Sequence, residues 1–248
     1  MSEMKIAIIL PVYNAGHLVE SAINSVINQS YNNWILYIRD DCSTDNTLDI
    51  ISRYASENII IQCNSRNSGA AATRNSILET VNQEVIAFID ADDVWEVNKL
   101  ELQNNRILLG EKLIVSHYFY KNGNDRKIVS FHSKNLNIDD FLKKRFRVCF
   151  SSLLYRKMNG SECLRFIDRG HEDYYFIYQL MKCLGNIDII AEPLVTYNVV
   201  GDSLSSDKGK ATRWHYNILK IIFPHNPLKR INYFFYYIFN ALLFRVKK

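Results

Sequence analysis

Three carboxylates fall within four residues at Asp90-Ala91-Asp92-Asp93, directly after the predicted strand 84–89. Carboxylate oxygens are the hard ligands that Mg²⁺ and Mn²⁺ take in proteins. An ion held at such a turn can bridge two phosphates and neutralise a departing diphosphate. The alternative is a solvated acidic turn in which Asp93 caps the helix that follows.

Polar residues also follow two earlier apolar runs. Pro11-Val12-Tyr13-Asn14 comes after the predicted strand 5–10, and Asp40-Asp41 comes after the predicted strand 34–39. The ends of parallel strands share the carboxyl edge of a sheet, where ligands bind. Asp40-Asp41 is suited to accept hydrogen bonds from a base or a ribose, although aspartate is also common in plain turns.

A helix with a small-residue start follows at Gly69-Ala70-Ala71-Ala72-Thr73-Arg74-Asn75. Small residues let a backbone or a ligand approach closely, and Arg74 lies one turn into the helix, where it can meet a nucleotide. The alternative is an ordinary helix start with a surface arginine. The chain has no GxGxxG and no GxxxxGK[ST], which counts against dinucleotide and P-loop sites.

The second half of the chain carries an acidic pair in Gly170-His171-Glu172-Asp173-Tyr174. A carboxylate presented at a cleft can act as a general base, which contributes typically ~10²–10⁴-fold to a rate. The alternative is that the pair only complements the dipole at the start of a helix.

The elements that must position these residues alternate between strand and helix. The apolar pattern predicts strands at 5–10, 34–39, 58–62 and 84–89, and helices at 17–29, from 43 or 44 to 54, 69–81 and 96–109. This alternation predicts an α/β fold with a parallel, doubly wound sheet. After residue 110 the pattern changes to a hairpin at 112–120 and 127–131, a strand at 152–155 and a helix at 172–183.

We therefore expect a nucleotide-binding half at 1–110, an acceptor-side half of the same domain at 111–205 and a separate tail at 206–248. Charge divides in the same way. Residues 208–248 carry nine Lys and Arg and no Asp or Glu, whereas the rest of the chain has 21 basic and 26 acidic residues.

The remaining composition is that of a globular protein. Hydrophobic residues make up 48% and charged residues 23%, and the five cysteines have no metal-ligand spacing. No stretch shows the features of a signal peptide or reaches the length of a spanning helix. These observations predict a cytoplasmic protein with reduced thiols.

Taken together, the motifs resemble family 2 glycosyltransferases of the GT-A fold, the large inverting group. Their order and spacing agree over residues 4–205. The motifs are Pro11-Val12-Tyr13-Asn14, Asp40-Asp41-Cys42-Ser43-Thr44-Asp45-Asn46-Thr47, Asn67-Ser68-Gly69 through Arg74-Asn75, Asp90-Ala91-Asp92-Asp93 and Glu172-Asp173. The resemblance implies a Rossmann-like, mostly parallel central sheet flanked by helices, with a mixed acceptor-side half and a helical C-terminal tail.

The resemblance also implies roles for these residues. Those expected to bind the nucleotide-sugar are Pro11, Val12, Tyr13, Asn14, Asp40, Asp41, Arg74, Asp90 and Ala91. Within this set, Pro11, Tyr13 and Asp41 would line the base, usually uridine, and Asp90 would face the ribose. Asp92, with Asp93, would hold a divalent metal, Mn²⁺ or Mg²⁺. Asp173 would be the catalytic base, with Glu172 beside it.

The implied reaction is transfer of a hexose or N-acetylhexosamine from a nucleotide-sugar, usually a UDP-sugar, with inversion to a β linkage. Two positions depart from the family pattern. Many relatives have glycine where Cys42 stands. The segment from Tyr197 to Ser205 also lacks the basic residue that many relatives use for the diphosphate, and we expect Lys208, Lys210 or Arg213 to supply it.

The tail combines its nine basic residues with ten aromatic residues. That composition predicts binding at a membrane surface, on the inner face of the cytoplasmic membrane. The alternatives are a helix packed on the body or an oligomer contact; no nucleic-acid motif accompanies the tail, so we expect no nucleic-acid partner. A membrane-associated member of this length resembles enzymes of bacterial surface polysaccharide (O-antigen or capsule) synthesis, whose acceptor is a saccharide on a lipid diphosphate.

Two other functions remain open from the sequence. A nucleotidyltransferase also pairs such a sheet with acidic metal ligands, but it usually needs a basic, glycine-rich loop after the first strand, and Asn14-Ala15-Gly16-His17 has no Lys or Arg. A non-catalytic scaffold of the same fold is the other alternative.

Overall fold

The first half of the sheet is parallel. The computed structural model of the chain describes residues 4–158, 164–199 and 208–246. Strands β1 (Ile6–Val12), β2 (Trp34–Asp40), β3 (Ile59–Cys63) and β4 (Val85–Phe88) pair in the order β3-β2-β1-β4, all parallel. β1 and β4 lie at the centre and are buried on both faces, which explains their near-continuous Ile, Val and Ala.

The sheet continues beyond β4 with mixed directions. It contains β5 (Val94–Trp95), β6 (Leu113–Asn122), β7 (Asp125–Val129), β8 (Asn135–Leu136), β9 (Leu154–Arg156) and β10 (Ile187–Asn198). The order from β4 is β4-β9-β6-β10-β5, with β9 antiparallel to both of its neighbours and β10 parallel to β6. The two predicted halves therefore share one continuous sheet.

Eight helices cover the sheet or follow it in the described chain. They are α1 (Val19–Ile27), α2 (Thr47–Ser52), α3 (Ala70–Leu78), α4 (Lys99–Leu108), α5 (Ile138–Leu142), α6 (Glu172–Leu184), α7 (Lys208–Ile222) and α8 (Pro227–Val246), with a 3₁₀ turn at Phe150–Ser152. No helix of the described residues is both long enough and apolar enough to cross a bilayer.

Most predicted elements exist, but two predictions need correction. The helix expected from residue 43 or 44 begins at Thr47 instead, because the carboxylate of Asp45 accepts the Thr47 N–H and the preceding turn is held by other contacts. Strand β10 has no counterpart in the prediction. Its apolar pattern is interrupted at Pro193, where the pairing with β6 shifts register, and proline lacks the N–H of a regular ladder.

The tail is helical, as predicted. Pro227 opens α8 at a position where the missing N–H costs nothing, and the Asn226 side chain accepts the Lys229 N–H 2.9 Å away. One face of the α7–α8 hairpin packs on the body: His215 and Tyr237 are buried and stack at 3.8 Å, and the Tyr233 hydroxyl donates to Asp139 of α5.

Candidate functional site

The end of β2 is tied to the start of α3 by Asp41. Its buried carboxylate accepts the backbone N–H groups of Ser68 (2.9 Å) and Gly69 (2.7 Å) and the side-chain amide of Asn64 (2.7 Å). Burial alone would raise the pKa of Asp41, but these donors together hold it below its usual value. Asp41 thus fixes the loop in front of α3.

The loop after β1 is held by the loop after β2. Asn14 Oδ1 accepts the Thr44 N–H at 2.8 Å, and Ser43 Oγ accepts the Asn14 N–H at 2.9 Å. Tyr13, in the loop after β1, is half-exposed. Pro11 and Val12 complete β1; the Val12 side chain lies in the core, which leaves only its backbone to meet a ligand. Asp40 is also buried and accepts both the N–H and the hydroxyl of Ser43.

Cys42 adopts a left-handed backbone conformation, with φ +64°. The other non-glycine residues with positive φ in the described chain are Asn14, Lys144 and His171. A side chain in this region costs roughly 1–2 kcal/mol relative to glycine, which gives a physical reason for glycine at the Cys42 position.

We expect Cys42→Gly to raise the free energy of unfolding by about 0.5–1 kcal/mol, because relief of the left-handed strain exceeds the extra chain entropy of glycine. Urea denaturation measures the change. Cys42→Ala is the matched control, since it also removes the thiol but keeps the Cβ. Equal stabilities of the two variants would show that strain at residue 42 is negligible.

Arg74 is a buried cation that joins both halves of the protein. Its Nη2 donates to Asp90 Oδ1 at 2.6 Å, and its Nη1 lies 3.7 Å from Glu172 Oε1. The guanidinium also lies 5.2 Å from the ring centroid of Phe150 and 5.5 Å from that of Phe166. The side chain is 8% exposed, so the alternative of a surface arginine is wrong.

Asp92 is partly buried next to Asp90 in the turn after β4. Burial and, to a smaller extent, the neighbouring charge of Asp90 raise the pKa of Asp92 to about 6, against the opposing effect of Arg74. Its carboxylate accepts no hydrogen bond from another described residue, and its backbone carbonyl accepts the Asn198 side-chain amide at 2.6 Å. Ala91, half-buried, packs against the core between the two aspartates. A cation would therefore stabilise the ionised form of Asp92.

Asp93 faces the interior. One carboxylate oxygen accepts the Ser151 hydroxyl and the other accepts the Asn198 N–H at 3.3 Å, and the residue is almost fully buried. The same Ser151 oxygen accepts the Asp90 N–H at 3.0 Å. Both carboxylate oxygens of Asp93 therefore accept hydrogen bonds within the protein, so the structure does not favour the predicted metal ligation by Asp93. Asp93 instead fixes the turn that contains Asp92.

The acidic pair at the start of α6 divides between two environments. Glu172 faces Arg74, and its pKa is raised by burial and by the charge of Asp173. Asp173 is half-buried and acts electrostatically on Arg74, Lys144 and His171. Asp173 therefore lies where the cleft meets the C-terminal hairpin.

The hairpin fixes the first turn of α6. His171, at φ +52°, precedes the helix, and its Nε2 donates to the Ala211 carbonyl of α7 at 3.0 Å. Gly170 lies beneath the Trp214 ring so closely that a Cβ would come within 2.2 Å of it. No role was predicted from the sequence for Ser151, Asn198, His171 or Trp214, although His171 lies within the motif at 170–174. Each of the four acts on residues at least 40 positions away.

The segment expected to contact the diphosphate lies mostly outside the described residues, which end at Val199 and resume at Lys208. Arg213 is exposed on α7, and the Lys210 Nζ lies 4.9 Å from the centroid of the Trp214 ring. A phosphate role for Lys208, Lys210 or Arg213 remains a prediction.

The chain is similar to known proteins over most of its length. Residues 7–172 match the family described as Glycosyl transferase family 2. The chain is 31% identical over 252 residues, covering 100% of this chain and 96% of the relative, to the Escherichia coli UDP-Glc:alpha-D-GlcNAc-diphosphoundecaprenol beta-1,3-glucosyltransferase WfgD. It is 31% identical over 234 residues, covering 92% of this chain and 90% of the relative, to the putative teichuronic acid biosynthesis glycosyltransferase TuaG of Bacillus subtilis (strain 168).

Among solved structures, residues 1–349 of S. aureus TarS in complex with UDP-GlcNAc match with a TM-score of 0.71. The identity is 20%, and the match covers 93% of this chain and 69% of that one. A similarity at this identity concerns the fold, and it confirms the predicted GT-A architecture.

Proposed function

The chain belongs to glycosyl transferase family 2, and we propose that it transfers a hexose or N-acetylhexosamine from a UDP-sugar to a saccharide on a lipid diphosphate, forming a β linkage. One observation carries the proposal: Arg74 bonds Asp90 and faces Glu172, which brings the donor-side carboxylates and the acceptor-side acidic pair to one cleft. Supporting it, the relative WfgD is named for a UDP-glucose donor, a GlcNAc-diphosphoundecaprenol acceptor and a β linkage.

In this mechanism Asp173 is the general base. It takes the proton from an acceptor hydroxyl, and that oxygen bonds to the anomeric carbon from the side opposite the nucleotide. The bond from this carbon to the diphosphate oxygen breaks, the nucleoside diphosphate leaves, and the configuration inverts. Glu172 does not take the proton; its pairing with Arg74 positions the first turn of α6. On the donor side, Pro11, Tyr13 and the loop fixed by Asp41 receive the base, Asn14 and Asp40 hold that loop in place, and Asp90 receives the ribose.

The residues present fit a divalent metal at Asp92. Mg²⁺ and similar ions are commonly held by one or two carboxylates together with substrate phosphates, so the partly buried carboxylate of Asp92 and a diphosphate form a reasonable ligand set. No group of three metal-ligating side chains exists in the described chain, so the proposed site would need the substrate phosphates as further ligands. When bound, Mn²⁺ or Mg²⁺ supplies charge neutralisation at the leaving diphosphate.

The test is nucleoside diphosphate release from a panel of UDP-, GDP- and dTDP-sugars, with Mn²⁺ or EDTA and with or without a diphosphate-linked GlcNAc acceptor. The expected result is release from a UDP-sugar that depends on both the metal and the acceptor. Pyrophosphate release from a nucleoside triphosphate would instead support a nucleotidyltransferase. Donor binding without release under every condition would support a scaffold.

We also propose that α8 binds a lipid surface next to the acceptor. Leu228, Ile231, Phe235 and Phe239 recur at helical spacing, and all four are exposed, whereas Tyr237 on the opposite face is buried. Exposed Lys229 and the absence of acidic residues after 207 match an anionic surface. These features support an interfacial helix lying in the headgroup region.

We expect Ile231→Glu/Phe235→Glu to lower partitioning onto vesicles of mixed zwitterionic and anionic lipid at least about tenfold, because two apolar anchors become charged. Sedimentation with vesicles measures the bound fraction. Leu109→Glu/Ile128→Glu is the matched control, since it changes two apolar residues that are exposed elsewhere. Equal losses in both double variants would contradict a role for the α8 face.

A further inference from the structure

Lys144 is an unusual lysine beside the proposed base. It follows the end of α5 with φ +52°, a position that helices usually give to glycine. Its Nζ lies 4.6 Å from the ring centroid of Tyr237 in α8 and 6.0 Å from that of Tyr174 in α6. A bulky side chain kept at a strained position next to a catalytic cleft points to a role for the side chain itself.

The basic residues on either side of Lys144 form salt bridges with carboxylates. The sequence 143–147 is Lys-Lys-Arg-Phe-Arg, in which Lys143 pairs with Asp139 at 2.6 Å and Arg145 pairs with Asp140 at 2.7 Å. Lys144 forms no salt bridge within the described chain. Burial lowers the pKa of its ammonium to about 8, the charge of Asp173 opposes that effect, and the charge of Arg147 adds to it. A site of this kind gains most from an added anion.

Lys144 lies near Asp173 but away from the donor-side carboxylates around Arg74. The charges that act most on Arg74 are those of Asp90, Glu172 and Asp173, whereas those acting most on Lys144 are Asp173 and Arg147. The charge of Asp173 therefore acts on both Arg74 and Lys144. On the Arg74 side lies the donor-side carboxylate of Asp90. On the other side, Lys144 contacts α8, the helix that carries the exposed apolar stripe.

We propose that Lys144, with Arg147 beside it, binds the diphosphate of the lipid-linked acceptor. The inference rests on the proposed function, which places the acceptor hydroxyl at Asp173. The diphosphate of such an acceptor begins one sugar ring away from that hydroxyl, and its lipid must run towards the membrane. The order Asp173, Lys144, α8 matches the order of hydroxyl, diphosphate and lipid along the acceptor.

The first experiment measures transfer to two acceptors, GlcNAc on a decyl diphosphate and GlcNAc as a plain decyl glycoside. Lys144→Met is expected to raise KM about 10–100-fold for the diphosphate acceptor and to leave KM for the glycoside and for the donor unchanged, because only one charge-assisted contact is lost. Lys144→Arg should retain most of the affinity. Lys182→Met, an exposed lysine on α6, is the control and should behave as the wild type.

Folding defects are excluded with Lys144→Gly, which suits the left-handed backbone and should be at least as stable as the wild type while showing the same rise in KM. A wild-type KM in the glycine or methionine variant, or an equal rise for both acceptors, overturns the inference.

The second experiment measures binding of decyl diphosphate and of UDP by calorimetry, without any transfer. Decyl diphosphate should bind Lys144→Met about tenfold more weakly than the wild type, and UDP should bind both equally. Equal decyl diphosphate binding, or an equal loss for UDP, overturns the site whatever the transfer assay gives. Absence of wild-type transfer with the binding difference intact contradicts the proposed function alone.

Discussion

Asp173→Asn is expected to reduce kcat for transfer by about 10²–10⁴-fold while the KM for the donor stays near the wild-type value. Asparagine has nearly the same shape as aspartate and keeps its place in the first turn of α6, but it cannot accept a proton at neutral pH. The proposed donor site consists of other residues around Asp41, Arg74 and Asp92, so donor binding should persist. Initial rates of nucleoside diphosphate release at saturating donor and acceptor measure the change.

Glu172→Gln is the matched control for this prediction. Glu172 is adjacent in sequence and also acidic, but it faces Arg74 rather than the acceptor. Its loss should weaken the link between α6 and α3, where Arg74 lies, and change kcat much less than Asp173→Asn does. Undiminished transfer by Asp173→Asn would remove Asp173 from the mechanism, and a larger loss in Glu172→Gln would make Glu172 the base.

The sequence predicted those parts of the fold that depend on local pattern. The β1, β2, β3 and β4 strands and their helices follow from runs of apolar residues and the spacing of polar motifs, so they could be predicted to within a few residues. Strand β10 could not, because its pairing with β6 shifts at Pro193 and its position is set by contacts across more than 70 residues.

The limits at the site have a similar cause. The sequence pattern predicted that Asp90 and Asp92 lie at one edge of the sheet, but it could not show which carboxylates face the interior. Asp93 faces Ser151 and Asn198, which lie 58 and 105 positions away, and nothing in the turn itself distinguishes it from Asp92. Likewise, Arg74 has the pattern of a surface residue, and only the packing of Phe150 and Phe166 against it shows that it is buried.

The C-terminal hairpin combines two of the alternatives that the sequence left open. Its inner face packs on the body, where His171 bonds Ala211 and Trp214 covers Gly170, and its outer face carries the exposed apolar stripe. A helix pair of this kind connects the surface that would meet a membrane with the first turn of α6. The position of Asp173 therefore depends on the tail, which is why the tail cannot be treated as a separate appendage.

Asp92→Asn is expected to abolish metal-dependent transfer and at the same time to stabilise the metal-free protein. Loss of the ligand should reduce kcat/KM by about 10²–10³-fold, because the charge of the leaving diphosphate is no longer neutralised. The pKa of Asp92 is raised from 3.8 to about 6 in the folded protein. At neutral pH its ionised form therefore opposes folding, by about 1–3 kcal/mol after allowance for partial exposure, and this cost disappears below the unfolded pKa.

Thermal unfolding with and without Mn²⁺ and UDP measures both the loss of metal binding and the gain in stability of the metal-free protein. The variant should melt above the wild type in EDTA, and only the wild type should gain stability when Mn²⁺ and UDP are added together, because ligands that bind the native state raise its stability. Asp93→Asn is the control: it leaves Ser151 and Asn198 bonded to an uncharged residue in the turn and should keep a Mn²⁺ response. An equal Mn²⁺ response in Asp92→Asn and the wild type would place the metal elsewhere, and a lost response in Asp93→Asn alone would make Asp93 the ligand despite its inward orientation.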